Sequence, residues 1–260
     1  MTSAPIVRVE AACVVRGGQT VLSDVSFALG KGEFCALIGA NGAGKTSLMR
    51  AILGFEPLAG GRVNHVGAVG YVPQKLGFEP DWPVRAYDFV ALGLDGARFG
   101  LPWPSKARRA KVMAALESVD GLGFANQRIG ELSGGQMARV VIAHALVRKP
   151  SLLLLDEPLA NLDLRAGAEL IRLLKNLSAQ GVAVLISAHD MNPLLPVLDR
   201  LVYLAAGKAV CGPPGEVVRT DVLSKLYGYH IDVIRVHDRI LVVAGDGDVH
   251  DHETHVAAIP

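Results

Sequence analysis

The sequence predicts an α/β fold built on a parallel sheet with helices on both faces. Three observations carry that prediction. Phe34–Ile38, Leu152–Leu155 and residues 182–186 are short continuous apolar runs, the pattern of strands buried on both faces. Helical patterns alternate with them, as parallel strands require crossover connections. Each run ends in polar residues of chemical interest: Gly39-Ala40-Asn41-Gly42-Ala43-Gly44-Lys45-Thr46, Asp156-Glu157 and Ser187-Ala188-His189-Asp190. The carboxyl ends of parallel strands are where such sheets bind ligands.

The chain begins with a strand-rich stretch from residue 6 to 38. Val7, Val9 and Ala11 alternate with Arg8 and Glu10, which reads as a half-buried strand. A turn at Gly17-Gly18-Gln19 leads to a second strand over residues 21–27, and Gly30-Lys31-Gly32 turns into Phe34–Ile38. This predicts a small antiparallel sheet feeding a parallel core. The glycine-rich segment after Ile38 has the spacing G-x-x-x-x-G-K-[ST], between a strand and a helix over residues 47–53. Glycines let the backbone turn tightly, so that N–H groups approach phosphate oxygens. The helix N-terminus adds partial positive charge at the same place. Lys45 then reaches the β- and γ-phosphates, and the Thr46 hydroxyl is a ligand for Mg²⁺.

Gly60-Gly61 reads as a further turn, before a short apolar strand over residues 68–72 that Pro73-Gln74 ends. Residues 75–104 are rich in Pro, Trp and Gly, and 106–119 are basic, then apolar, with helical spacing. The stretch reads as a helical insertion, its basic run as a solvated face. Ser133 is a natural N-cap for a helix through Leu146, and Gly134-Gly135 again admit close approach of an anion. A helix spans residues 166–177. Residues 201–211 read as a hairpin around Gly207, two short helices follow at 213–216 and 222–227, and 231–243 form a last hairpin turning at His237-Asp238.

Composition narrows the function. The chain has 260 residues, half of them hydrophobic, and a formal net charge of +1. That suffices for one large domain or two small ones and argues against a dedicated nucleic-acid binder. No apolar stretch approaches the ~18 residues that span a bilayer, and the first residues lack the pattern of a signal peptide. Cys13, Cys35 and Cys211 lie far apart and read as small buried residues of a reducing compartment.

A triphosphate cradle needs a carboxylate for Mg²⁺. Asp156, after four leucines, is delivered to the edge where the phosphates lie. Two adjacent acids repel, and a bound cation relieves that repulsion. On this reading Asp156 holds the metal through water and Glu157 orients and deprotonates the attacking water. His189 either donates a hydrogen bond to the developing γ-phosphate charge or is a structural strand-end group. The Gln74 amide contacts Mg²⁺ or the attacking water, or caps a turn.

Gly39–Thr46, Gln74, Leu132–Gln136, Leu155–Glu157, Asn161–Asp163 and His189 occur in the order and spacing of the ATP-binding-cassette ATPases, which residues 6 to 230 resemble. The resemblance implies a P-loop NTPase fold: a RecA-like parallel sheet with an antiparallel β subdomain and an inserted α-helical subdomain at about 75–145. It implies an ATPase domain over 1–230 and a C-terminal extension over 231–260. It implies ATP and Mg²⁺ as cofactors, bound by Gly39 through Thr46 with Ser47, and by Thr46, Gln74 and Asp156 for the metal. It also implies a homodimer in which Ser133, Gly134, Gly135 and Gln136 of one copy close on the γ-phosphate held at Lys45 of the other, with Asp163 in the loop that joins the two sites. Arg16 stands where such cassettes carry an aromatic that stacks on adenine. A guanidinium plane can stack on a base, and Arg16 can equally face solvent.

Tyr71-Val72-Pro73-Gln74, Asp81-Trp82-Pro83-Val84 and Asp88–Gly93 resemble the zinc/manganese-type importer group. That implies an integral membrane permease and an extracytoplasmic (periplasmic) substrate-binding protein as partners, and a peripheral location on the cytoplasmic face of the cell membrane. Iron chelate or haem are alternative cargoes, and a soluble non-transport cassette is a further alternative. Trp82, Val84, Tyr87 and Phe89 are candidates for a groove that receives the permease, or for core. The tail concentrates His250, His252 and His255 with acids, a composition that suits Zn²⁺ or a solvated polar tail.

Overall fold

The computed structural model describes residues 4–74, 82–95, 105–237 and 239–244. In chain order the elements are β1 (Val7–Arg16), β2 (Gln19–Leu29), β3 (Phe34–Ile38), α1 (Lys45–Ile52), β4 (Gly60–His65), β5 (Val69–Val72), α2 (Ala86–Asp95), α3 (Lys106–Glu117), α4 (Gly134–Leu146), β6 (Leu152–Leu155), α5 (Leu164–Ala179), β7 (Ala183–Ala188), β8 (Arg200–Ala205), β9 (Lys208–Gly212), α6 (Pro214–Val217), α7 (Thr220–Tyr227), β10 (Ile231–Val236) and β11 (Arg239–Ala244).

A six-stranded sheet has the order β5-β6-β7-β3-β8-β9, parallel except for β9. Both its faces are buried. Phe34, Ala36 and Ile38 enter one apolar cluster, while Cys35 and Leu37 enter the other. Leu153 and Leu155 divide from Leu152 and Leu154 in the same way. The period of two explains why Phe34–Ile38 and Leu152–Leu155 are apolar throughout: neither face meets water. Leu154 is fully buried. Leu154→Ala is expected to cost about 2–5 kcal/mol, read as a lower denaturant midpoint at unchanged slope.

The antiparallel sheet has the order β2-β1-β4 and differs from expectation in two ways. Ala11 is exposed and Ala12 buried, because a bulge with φ 47° at Ala11 shifts the alternation by one residue. The Ser26 hydroxyl accepts the freed Ala11 N–H at 2.8 Å. Gly60-Gly61 is the start of β4, pairing with β1, and not a turn. The bulge is the reason for glycine there: any side chain at Gly61, whose φ is +79°, would strike the Ala11 carbonyl.

α2, α3 and α4 pack together, and Val90, Val112 and Leu116 belong to the same apolar cluster as Leu153 and Ile186. Phe89 goes to core rather than to a groove wall: it is buried and stacks on His144 with ring centroids 4.6 Å apart. Val84 and Tyr87 pack partly buried against the same cluster, while Trp82 is 40% exposed. Asp81 lies outside the described residues, as do 75–80 and 96–104 of the Pro-, Trp- and Gly-rich stretch. Of the cysteines only Cys35 is buried; Cys13 and Cys211 are half-buried, and all three are free thiols. No helix among the described residues is long and apolar enough to cross a membrane.

Candidate nucleotide site

Parallel pairing sets the strand ends side by side. Val72 pairs with Leu155, Leu155 with Ile186, and Ile38 with Ala188. The residues that follow each strand therefore meet at one edge of the sheet, from positions up to 150 apart in sequence.

The glycine loop leaves β3 and enters α1. Gly39 is glycine because its missing side chain lies against the Leu204 carbonyl of neighbouring β8. Gly44 caps α1 with φ 102°, and a side chain there would meet Leu22. α1 starts at Lys45, two residues earlier than its apolar pattern suggests, so Lys45, Thr46 and Ser47 form its first turn. Their N–H groups have no helical acceptor and face the loop. Ala40, Asn41 and Gly42 are exposed, and Ala43 N–H bonds the Ala40 carbonyl at 3.1 Å.

Lys45 is 5% exposed. Its ammonium donates to the Gly39 carbonyl at 2.7 Å and to the Ala40 carbonyl at 3.2 Å, and stands 3.5 Å from Glu157 Oε1. Opposite it, Thr46 Oγ1 donates to Asp156 Oδ2 at 2.9 Å, and Ser187 Oγ donates to Asp156 Oδ1 at 2.6 Å. The same Ser187 oxygen accepts Glu157 N–H at 2.9 Å. Gln74 Nε2 donates to Glu157 Oε2 at 2.9 Å. Burial, and then the Asp156 charge, push the Tyr71 phenol above its ordinary pKa, so it stays neutral beside that carboxylate.

The sequence gives Ser187 no role of its own beside His189. In sequence it only follows the apolar run over 182–186; the strand in fact continues to Ala188, and the register beside Asp156 gives Ser187 two partners. Glu157 also holds φ 49°, a left-handed backbone that a side chain adopts at a cost of about 1–2 kcal/mol. The bond to Ser187 helps to hold it there. Ser187→Ala leaves a buried carboxylate oxygen and a backbone N–H without this partner. About 1–3 kcal/mol of stability should be lost, a fall in Tm of roughly 2–4 °C for each kcal/mol by calorimetry.

The metal-binding assignment can be tested on donor chemistry. Thr46 hydroxyl and Asp156 carboxylate are adjacent hard oxygen donors, and the Gln74 side-chain oxygen lies on the amide that touches Glu157. Such a set fits Mg²⁺, which takes one or two protein oxygens together with waters and phosphate oxygens.

His189 follows the last residue of β7 and is exposed; with Glu157 and Ser187 it lines a small cleft of about 150 Å³. Arg16 is exposed at the end of β1, paired with Gln19 across the Gly17-Gly18 turn. The same hairpin sends Val21 and Leu22 against Gly44, so it borders the loop.

The Ser133 tip lies elsewhere. Ser133 Oγ accepts Gln136 N–H at 3.3 Å, and Gln136 Oε1 accepts Ser133 N–H at 2.9 Å, a complete capping box. Gln136 thus spends its carbonyl oxygen within its own helix. Asp163 caps α5 in the same manner, Oδ1 accepting Ala166 N–H at 2.8 Å. Both helix N-termini open on one cleft of about 340 Å³, shared with Asn161, Arg139 and Arg165. None of residues 39–47 lines this cleft. Ser133 is exposed, so the tip is accessible from outside the chain. His250, His252 and His255 lie outside the described residues.

Comparison with known proteins adds three kinds of finding. Residues 22–160 match the family model described as ABC transporter. The chain is 36% identical over 231 residues to a zinc import ATP-binding protein of Halorhodospira halophila, covering 87% of this chain and 85% of that one. It is 32% identical over 247 residues to a zinc transport system ATP-binding protein of Treponema pallidum, with 92% and 91% covered. A manganese transport system ATP-binding protein of Bacillus subtilis is 33% identical over 229 residues, with 85% and 91% covered. Among solved structures, the ATP-binding cassette MJ1267 superposes with TM-score 0.76 at 25% identity, covering 85% of this chain and 98% of that one. The cassette MJ0796, solved as a dimer bound to ADP and Pi, superposes with TM-score 0.67 at 26% identity, with 80% and 98% covered.

Proposed function

Because the chain belongs to the ABC transporter family and is an ATP-hydrolysing cassette of it, we propose that it energises import of a divalent transition metal of the zinc or manganese type. The observation that carries the chemical part is the meeting of Lys45, Thr46, Gln74, Asp156, Glu157 and Ser187 at one sheet edge. The cargo rests on the relatives, which are named for zinc and manganese transport.

The phosphates of ATP lie along the N–H groups from Gly39 to Thr46, on the positive end of α1. Lys45 exchanges its loop carbonyls for β- and γ-phosphate oxygens, a charge-assisted contact. Thr46 and Asp156, with Gln74, would hold Mg²⁺, and a cation there would supply neutralising charge for the phosphoryl oxygens. Glu157 is the base for the attacking water, and the Gln74 amide keeps its carboxylate oriented. His189 donates to the γ-phosphate from the neighbouring strand end. Arg16 borders the base.

The second half of each site comes from a second copy. The Ser133-Gly134-Gly135 tip, a capped helix N-terminus on an open cleft, closes on the γ-phosphate of the partner copy, with Asp163 in the adjoining loop. Closure with ATP and opening after hydrolysis drive an integral membrane permease, with Trp82 on the surface offered to it. A substrate-binding protein delivers cargo, and the ATPase sits peripherally on the cytoplasmic face. The ATPase domain takes 1–230, with the helical insertion between 75 and 145, and 231–260 extends it.

Deleting the gene and measuring cell metal by mass spectrometry tests the cargo. Zinc or manganese should fall, with growth lost under chelation and restored by that metal alone. A fall confined to iron or haem overturns the assignment.

A further inference from the structure

β7 ends at Ala188, so His189 begins an exposed turn that no ladder partner holds. Asp190 Oδ1 closes that turn by accepting Asn192 N–H at 2.9 Å and Asn192 Nδ2 at 2.8 Å. The Asn192 carboxamide then reaches 48 residues along the chain. Its Oδ1 accepts Ile240 N–H at 2.7 Å, and its Nδ2 donates to the Ile240 carbonyl at 3.0 Å. Both backbone groups of Ile240 are paired with one side chain, much as a neighbouring strand would pair them.

The apolar residues near both ends of this link are buried in the core. Ile240 is buried, and it shares one cluster with Ile231, Met191 and Leu194. Met191 and Leu194 flank Asn192 in sequence, and Ile231 opens β10 of the hairpin. The turn carrying His189 is therefore tied through the Asn192 carboxamide to an element that contributes none of the nucleotide-site residues.

We propose that Asn192 is a positioning residue for His189, and that the β10–β11 hairpin is the brace against which it works. The inference rests on the reading of His189 as a donor to the γ-phosphate. An exposed imidazole on a short turn would otherwise have to be ordered at each turnover; the clamp orders its backbone beforehand. It also makes the hairpin a handle on hydrolysis, since displacing Ile240 displaces the turn.

The test uses the full-length chain with its permease. Asn192→Ala should lower kcat about tenfold, the fold-change that ~1.4 kcal/mol in a barrier produces. KM for ATP should stay within about twofold. His189→Ala should lower kcat further, and adding Asn192→Ala to it should cost no more than about twofold again, because the group being positioned is already gone. Nucleotide affinity of the single copy is the control for folding. Should Asn192→Ala fail to fold, Asn192→Asp, which retains the acceptor for Ile240 N–H but loses the donor, takes its place with the same expectation for kcat. Unchanged turnover in the Asn192 variant beside an inactive His189→Ala overturns the inference. Equal losses in both backgrounds overturn it too, since a merely structural residue would multiply. If His189→Ala alone turns over normally, the γ-phosphate reading of His189 has failed and the inference falls with it.

Discussion

Glu157→Gln is expected to leave ATP affinity unchanged within about threefold while lowering turnover by 10²–10⁴-fold, about 3–5 kcal/mol in the barrier. The amide is isosteric and keeps a contact with Gln74, which stands 2.9 Å from Oε2. It cannot take a proton from water. It also removes one of two adjacent negative charges at the strand end, which lowers repulsion of the triphosphate, while the Thr46 and Asp156 oxygens stay in place. A site that binds and does not hydrolyse should accumulate the closed pair of copies. Size-exclusion chromatography with ATP should therefore show a dimer that the parent protein forms only transiently. Parental turnover in this variant would remove Glu157 from the role of base.

Lys45→Ala should reduce ATP affinity by roughly 10²-fold. Two effects act in the same direction. The β- and γ-phosphates lose a charge-assisted contact of about 1.5–3 kcal/mol. Glu157, 3.5 Å from the ammonium and only 15% exposed in its side chain, loses a cation beside it and repels the incoming triphosphate more strongly. The Gly39 and Ala40 carbonyls, which accept from the ammonium, must find water or collapse. Titration calorimetry with a slowly hydrolysed ATP analogue reads the affinity directly. A loss smaller than threefold would mean that the loop's N–H groups carry the phosphates alone.

The contrast between these residues and Ser187 shows how far the sequence reached. Lys45, Thr46, Asp156 and Glu157 were legible because each belongs to a local pattern: a glycine loop between strand and helix, or an acid pair closing four leucines. Such patterns need no knowledge of the partner strand. Ser133 was legible as a cap for the same reason, since its Gln136 partner lies three residues away. Ser187, Asn192 and the Ala11–Gly61 contact were not. Their partners lie about 30 to 50 residues distant, and each contact depends on register or on a bulge that no alternation of residue types announces. Gly60-Gly61 reads as a turn in sequence for this reason: glycines usually punctuate turns, and here they make room for a bulge on β1.

The sequence by itself determined the α/β class, the order of the strands that carry chemistry, and the residue types at their ends. Buried strands and phosphate loops are written in composition and spacing, which local physics reads without help. The tertiary structure alone decided which strand ends share an edge and which hydroxyl lies between the two acids. It also turned the Glu157 backbone left-handed and tied the His189 turn to a hairpin near the end of the described chain. Those outcomes follow from parallel pairing across crossovers, where a hydrogen bond forms only after distant segments have docked in one register.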